Sequence, residues 1–355
     1  MEFGLGESQR LFDGALRGML AERVTPESRR AAAAAGGDAA LWQGLCELGL
    51  AGVLVPEAQG GSGLGMMDAV LAAEGLGYAA APTPFLGSGV MAPFALRLLG
   101  SPAQGDEFLP CLAAGEMRVA IAFAALTGTT GACDLRLQGG RLTGRVTGAL
   151  DAADATHLLV ALPGGETLAL LAADAPGVAL APRRSVDRLR PLADLEFDAA
   201  PAAILPGDAR RVLDAGRVAL AAETLGAAQS MLDGAVAYAG QRRQFGRAIA
   251  SFQAVKHACA EMAAALEPCR ALVWYAAHAQ DAPEPEARML AAQAKAHLDE
   301  VGREVARGAT EVYGGMGFTE LLGLPAWFRR IMANRQLLGG PERCRDDAAL
   351  AQGMS

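Results

Sequence analysis

The spacing of apolar residues changes twice along the chain, and the changes divide it into three regions. Over residues 1–115 the pattern is helical and interrupted by turn signals. Thr25-Pro26 and Ser101-Pro102 each set a capping hydroxyl before a proline at the first helical position, so the helices here are predicted to be short. Over residues 116–206 the pattern alternates. Leu135-Arg136-Leu137-Gln138 and Arg141-Leu142-Thr143 flank Gly139-Gly140, a two-residue hairpin signal. His157-Leu158-Leu159-Val160-Ala161 and Thr167-Leu168-Ala169-Leu170-Leu171 make a second pair, and Leu195-Glu196-Phe197-Asp198 adds a further strand. A small antiparallel β domain is expected.

Over residues 207–355 the helical period returns in much longer segments. Phe252, Val255, Cys259, Met262, Leu266, Cys269 and Val273 alternate steps of three and four, and Leu290, Ala294, Leu298, Val301, Val305 and Val312 form another such stripe. At 1.5 Å per residue such segments reach about 40 Å, which predicts a long antiparallel four-helix bundle with a turn at Pro283-Glu284-Pro285. The fold class expected is α+β, mainly α.

Composition narrows the function. Aromatics are only 5% against 52% hydrophobic residues, which suits close-packed Ala-rich helices. The net charge of −8 comes with no basic cluster, which argues against a nucleic-acid partner. Six cysteines form no Cys-x-x-Cys pair and four histidines are scattered, as expected of a reduced cytoplasmic chain without a metal site. The N-terminus has neither the basic nor the apolar region of a signal peptide. The longest uncharged stretch, residues 75–96, is broken by Pro82, Pro84, Pro93 and four glycines, so no membrane insertion is expected.

No Walker loop, nucleophile elbow or dinucleotide fingerprint is present, but two segments stand out. Arg242-Arg243-Gln244-Phe245-Gly246-Arg247, followed by Phe252-Gln253, loads a turn between two helices with arginine. Such side chains fork onto a phosphate or cap the last carbonyls of a helix. Tyr313-Gly314-Gly315-Met316-Gly317-Phe318 either lets a ligand approach the backbone closely or simply ends a helix.

In this order and spacing the two segments resemble the acyl-CoA dehydrogenase family. Gly52-Val53-Leu54-Val55-Pro56-Glu57 with Gly60-Gly61 and Glu74-Gly75-Leu76-Gly77 is similar to its N-terminal signature, and Ala122-Phe123-Ala124-Ala125-Leu126-Thr127 to the start of its flavin-facing strand. The resemblance implies an N-terminal helical domain, a middle β-barrel and a C-terminal four-helix bundle. It also implies FAD-dependent α,β-dehydrogenation of an acyl-CoA to a trans-2-enoyl-CoA, with electrons passed to an electron-transfer flavoprotein. By position, Arg242 would meet the FAD pyrophosphate of a neighbouring subunit, with Gln244 and Phe245 beside it. Gln253, Gly314 and Gly315 would border the adenine half, Leu126 and Thr127 the isoalloxazine, and Arg217 the substrate. A dimeric or tetrameric homo- or hetero-oligomer follows from that sharing.

The resemblance breaks where the chemistry needs a carboxylate. Leu338 stands at the usual position of the catalytic Glu, and Gly216, before Arg217, at the alternative one. Glu311 replaces a Gln ahead of the glycine pair, Gly128-Thr129 interrupts the flavin-facing motif, and Cys133-Asp134 retains only its end. These losses resemble short members ending in Leu-Leu-Gly-Gly-Pro, like residues 337–341 here, which in steroid side-chain degradation pair with a longer homologue in an α2β2 heterotetramer.

Three expectations remain open: a subunit of such a heteromer, an independent homo-oligomer with a relocated base, or a non-redox binding protein that keeps the fold. For the second, Glu223 lies two turns beyond Gly216 on an apolar helix stretch, where an unpaired carboxylate would have a raised pKa. A paired structural carboxylate is the alternative there. Glu320, after the glycine turn, is the other candidate, or else an exposed loop charge, and Glu342 reads as a helix-start carboxylate.

Overall fold

The computed structural model describes residues 4–128, 133–282 and 285–354. Thr129 of the interrupted motif and Pro283-Glu284 of the expected turn lie outside the described residues.

Six helices open the chain: α1 (Glu7–Arg23), α2 (Pro26–Ala35), α3 (Ala39–Glu47), α4 (Met66–Ala79), α5 (Ala92–Leu99) and α6 (Pro102–Ala113). Both expected caps form, with Thr25 Oγ1 accepting from the Ser28 N–H at 3.1 Å and Ser101 Oγ from that of Gln104 at 3.3 Å. A π-helical turn, Leu86–Met91, leads into α5. It docks on the sheet through the Val119 N–H, which donates to Ser88 Oγ at 2.9 Å.

The middle region holds β1 (Val119–Ala122), a single helical turn α7 (Ala124–Thr127), β2 (Arg136–Gln138), β3 (Arg141–Leu150), β4 (His157–Ala161), β5 (Thr167–Ala172), β6 (Val178–Arg183), β7 (Leu192–Pro201) and β8 (Ala203–Pro206). The hydrogen-bonded order is β6-β7-β3-β1-β4-β5-β8, with β2 on β3. Gly139 and Gly140 make the β2–β3 turn at φ +57° and +75°, as their spacing predicts. One pairing departs from the expected antiparallel sheet: β1 runs parallel to β4. Parallel neighbours need a long crossover, and residues between Ala122 and His157 supply it with the β2–β3 hairpin.

The last region is built on α8 (Ala209–Gln241), α9 (Gln253–Asp281) and α10 (Ala287–Tyr313), with the shorter α11 (Leu324–Asn334) and α12 (Pro341–Ala351) packed on α8 and α10. A two-stranded hairpin, β9 (Arg243–Gln244) and β10 (Arg247–Ala248), joins α8 to α9. The apolar stripe expected along α9 divides. Met262, Leu266, Cys269 and Val273 are buried, whereas Phe252, Val255 and Cys259 stay partly exposed. The period marks a face, and its first turns are only partly covered: Phe252 packs against Phe245 and Arg247, and Cys259 lies at the edge of the core.

The helical parts share one core. α4 crosses α8 closely enough that a Cβ on Gly77 would lie 2.0 Å from the Glu223 carbonyl oxygen, and one on Gly226 1.9 Å from that of Glu74. Bare backbone on both helices is what allows the crossing, and it places Glu223 beneath the N-terminal helices.

Candidate active site

A 280 Å³ cavity opens between the sheet and the α11–α12 connection, walled by Phe123, Thr127, Gly148, Leu150, Leu337 and Leu338. Leu126 and Thr127 are buried on α7, which begins directly where β1 ends, so the strand aims this turn at the cavity. At Gly148, φ +73°, a Cβ would meet nothing within 4 Å, so the backbone lies bare.

The connection carrying Leu338 is held from below by buried cations. Arg217 Nε donates to the Leu338 carbonyl at 3.0 Å, and its Nη2 pairs with Asp347 at 2.6 Å. Lys295, fully buried, pairs with Asp299 at 2.5 Å and reaches the Gly339 carbonyl at 3.5 Å. Leu338 sits at φ +57°, a left-handed conformation uncommon for a residue with a Cβ, which these two bonds help to hold. Its side chain then points at Gly216, where a Cβ would lie 2.7 Å from Leu338 Cδ1 and 2.7 Å from Met91 Sδ. The two positions at which sequence comparison looks for a base therefore meet in space, and Leu338 with Met91 fills the gap between them. Arg217, expected to face substrate, has its Nε and Nη2 committed to this support.

Glu223 is not the unpaired carboxylate expected from its apolar neighbours. Its oxygens accept from Arg190 Nη2 at 2.9 Å, Arg330 Nη1 at 2.7 Å and Asn334 Nδ2 at 3.2 Å. Arg330 also pairs with Asp187, closing a buried network of two arginines and two carboxylates. Both oxygens of Glu223 are thus engaged by side-chain donors. Glu320 is exposed and pairs with Arg329 at 2.5 Å; it does not line the 280 Å³ cavity. Glu342 lies exposed in the first turn of α12, where its own backbone N–H holds the carboxyl below the usual range.

The arginine-rich turn and the glycine turn are brought together elsewhere, at one end of the long helices. Tyr238, in the last turn of α8, stacks on Tyr313, the last residue of α10, with centroids 4.5 Å apart. Arg242, Gln244, Phe245 and Gln253 are exposed there, Phe245 to 89%. A Cβ on Gly314 or Gly315 would meet nothing within 4 Å. None of these residues lines the 280 Å³ cavity, so one chain separates the two halves of the expected flavin site.

Helices, sheet and long helices arranged around such a cavity make up the acyl-CoA dehydrogenase fold, and the chain belongs to that family. Its N-terminal domain model matches residues 6–116 and its C-terminal domain model residues 207–351. Acyl-CoA dehydrogenase IpdE2 of Mycobacterium tuberculosis (strain ATCC 25618 / H37Rv) is 31% identical over 339 residues, 94% of either chain. Among solved structures, a variant of the Tcur3481-Tcur3483 steroid ACAD superposes with a TM-score of 0.90 at 30% identity, covering 99% of both chains. The ChsE4-ChsE5 complex from Mycobacterium tuberculosis does so with a TM-score of 0.90 at 27% identity and the same coverage. The family's cofactor is FAD. Residues of this chain fit its two ends separately: a bare-walled cavity of mainly apolar lining for a flat ring, and open glycines beside exposed arginines for a nucleotide.

Several site residues carry no signal in the sequence. Arg190 and Arg330 look like surface arginines, and Met91 like any core residue. Only Lys295 and Asp299, four apart on one helix, hint at a pair.

Proposed function

We propose that this chain is a subunit of a heteromeric acyl-CoA dehydrogenase, in which it braces the nucleotide end of FAD held by a partner chain, while its own base position stays closed. The observation that carries this reading is the contrast between the two half-sites. The surface at Arg242 and Gly314-Gly315 keeps its motif and lies open, whereas Leu338 and Met91 pack against Gly216.

Arg242 offers a planar fork suited to the FAD pyrophosphate. Gln253 begins α9, whose N-terminal dipole favours the same anion. Gly314 and Gly315 leave room for the adenine, and Phe245 stands beside it. Bound FAD supplies the acceptor for the hydride leaving the β-carbon of the acyl group. Removal of the α-proton needs a carboxylate in a dry pocket, and the partner chain is the source of it. An electron-transfer flavoprotein would be the partner that takes up the electrons. The steroid ACADs among the relatives support a steroid-derived acyl-CoA as substrate. Among the described residues no helix is long and apolar enough to cross a membrane, and we place the chain in the cytoplasm.

The test is purification of the chain alone and together with a longer homologue, recording visible flavin absorbance. A colourless chain that becomes yellow with its partner, and loses the colour with Arg242→Gln, is the expected result. Yellow protein alone that bleaches on acyl-CoA overturns the reading in favour of an independent enzyme. Absence of flavin with every partner overturns it in favour of a non-redox binding protein.

A further inference from the structure

The arginine turn and the glycine turn are tied to each other by one aromatic contact. Tyr238 and Tyr313 stack with 4.5 Å between centroids and 23° between ring planes, and both are half-buried. Each stands directly beside one of the two motifs. The Arg242 N–H donates to the Tyr238 carbonyl at 2.8 Å, closing the last turn of α8, and Tyr313 is the residue before Gly314.

Tyr313 is seated against α8 one turn earlier as well. A Cβ on Gly234 would lie 2.7 Å from the Tyr313 hydroxyl oxygen and 3.8 Å from Cζ, so the phenol keeps its place because residue 234 has no side chain. Gly234 and Tyr238 lie four apart, on one face of α8, and the ring of Tyr313 rests on both. Its hydroxyl makes no hydrogen bond to a protein group among the described residues, so the contact is one of shape.

The path of the glycine turn depends on where Tyr313 is held. Gly314 leaves α10 at φ +59° and ψ −140°, a combination that a residue with a Cβ avoids. The chain then folds back onto α10. A Cβ on Gly317 would lie 3.1 Å from Tyr313 Cβ and 2.9 Å from the Thr310 carbonyl oxygen. The turn is thus packed on Tyr313 at its far end, while Gly314 and Gly315 stay open.

We propose that Tyr313 is a positioning residue for the surface at Arg242 and Gly314-Gly315, a role that rests on the reading of that surface as FAD-bracing. Its seat on Gly234 and Tyr238 sets the spacing between the Arg242 side chain and the Gly314-Gly315 backbone. Two half-sites on different helices hold one ligand only if their separation is kept within about 0.5 Å, which side chains locked by packing provide.

The test is the FAD affinity of the complex between this chain and a longer homologue, prepared without flavin, titrated with FAD and followed by flavin fluorescence. Y313L removes the ring and is expected to weaken binding about tenfold, the worth of a good aromatic pair. G234A drives a methyl toward the phenol oxygen and is expected to weaken binding too. G234A/Y313F removes that oxygen and is expected to restore it. Parental affinity in G234A overturns the proposal. So does weakening that Y313F does not relieve, because general damage to α8 would not depend on one hydroxyl. R242Q, measured beside them, separates the two readings: if it keeps parental affinity, the surface does not brace FAD and the role of Tyr313 falls with it.

Discussion

Leu338 and Gly216 occupy one space: a Cβ on Gly216 would stand 2.7 Å from Leu338 Cδ1. Each stands where a base is expected, and each accommodates the other's lack of one. The glycine leaves room that a leucine fills, and Arg217 bonds the leucine's carbonyl to hold it there. A carboxylate restored at either position would have to displace that packing.

This fit predicts non-additive stability. Gly216→Ala should cost about 1–2 kcal/mol by overpacking, since the obstructing atoms end flexible side chains. In a Leu338→Ala background the same change should cost less, because only Met91, whose Sδ also lies 2.7 Å from that Cβ, then obstructs it. Urea midpoints of the four proteins measure it. An equal cost in both backgrounds would mean that the residues do not share the space.

The buried network predicts that Glu223 acts through structure. Glu223→Ala leaves Arg190 and Arg330 without a shared counter-ion and should cost about 3–5 kcal/mol. Thermal and urea unfolding test this, and a variant as stable as the parent would show that the two arginines find other partners.

The α4–α8 crossing predicts a further sensitivity. Gly77→Ala and Gly226→Ala each drive a methyl into a carbonyl oxygen of the facing helix, where no side chain can swing aside. Each should cost about 3 kcal/mol or slightly more, at the upper end of overpacking. Ala at Gly240, which has open space around it, should be neutral or stabilising in the same unfolding assay.

Asp151 predicts a pH dependence. Burial pushes its carboxyl up to about 7 from an ordinary 3.8, against the pull of Arg190, and its Oδ2 has no partner. The folded state therefore binds this proton more tightly than the unfolded chain, and stability falls as pH rises from about 4 to about 7. Asp151→Asn should leave stability near pH 4 almost unchanged, raise it above pH 7 and reduce the slope between. Asn tolerates the φ of +60° found there. Denaturation midpoints across that range test the sign, and a variant less stable at pH 8 than the parent would contradict it.

The sequence alone determined what short-range physics controls. Thr25 and Ser101 announce helix starts because a cap acts within three residues, and Gly139-Gly140 announces a hairpin because only the local φ matters. The spacing along α9 and α10 announces long helices by period alone. It also placed Leu338 and Gly216 where a base is expected. Tertiary structure decided what those positions do, because burial and charge pairing join residues far apart in the chain. Only the fold brings Arg190 and Arg330 to Glu223, which turns an apparent base into a structural ion. Only the fold sets Leu338 against Gly216, runs β1 parallel to β4, and leaves Phe252, Val255 and Cys259 of a regular stripe only partly covered. A period reports which face of an element is apolar, and the neighbour that covers it is fixed by the path of the whole chain and of the partner it meets.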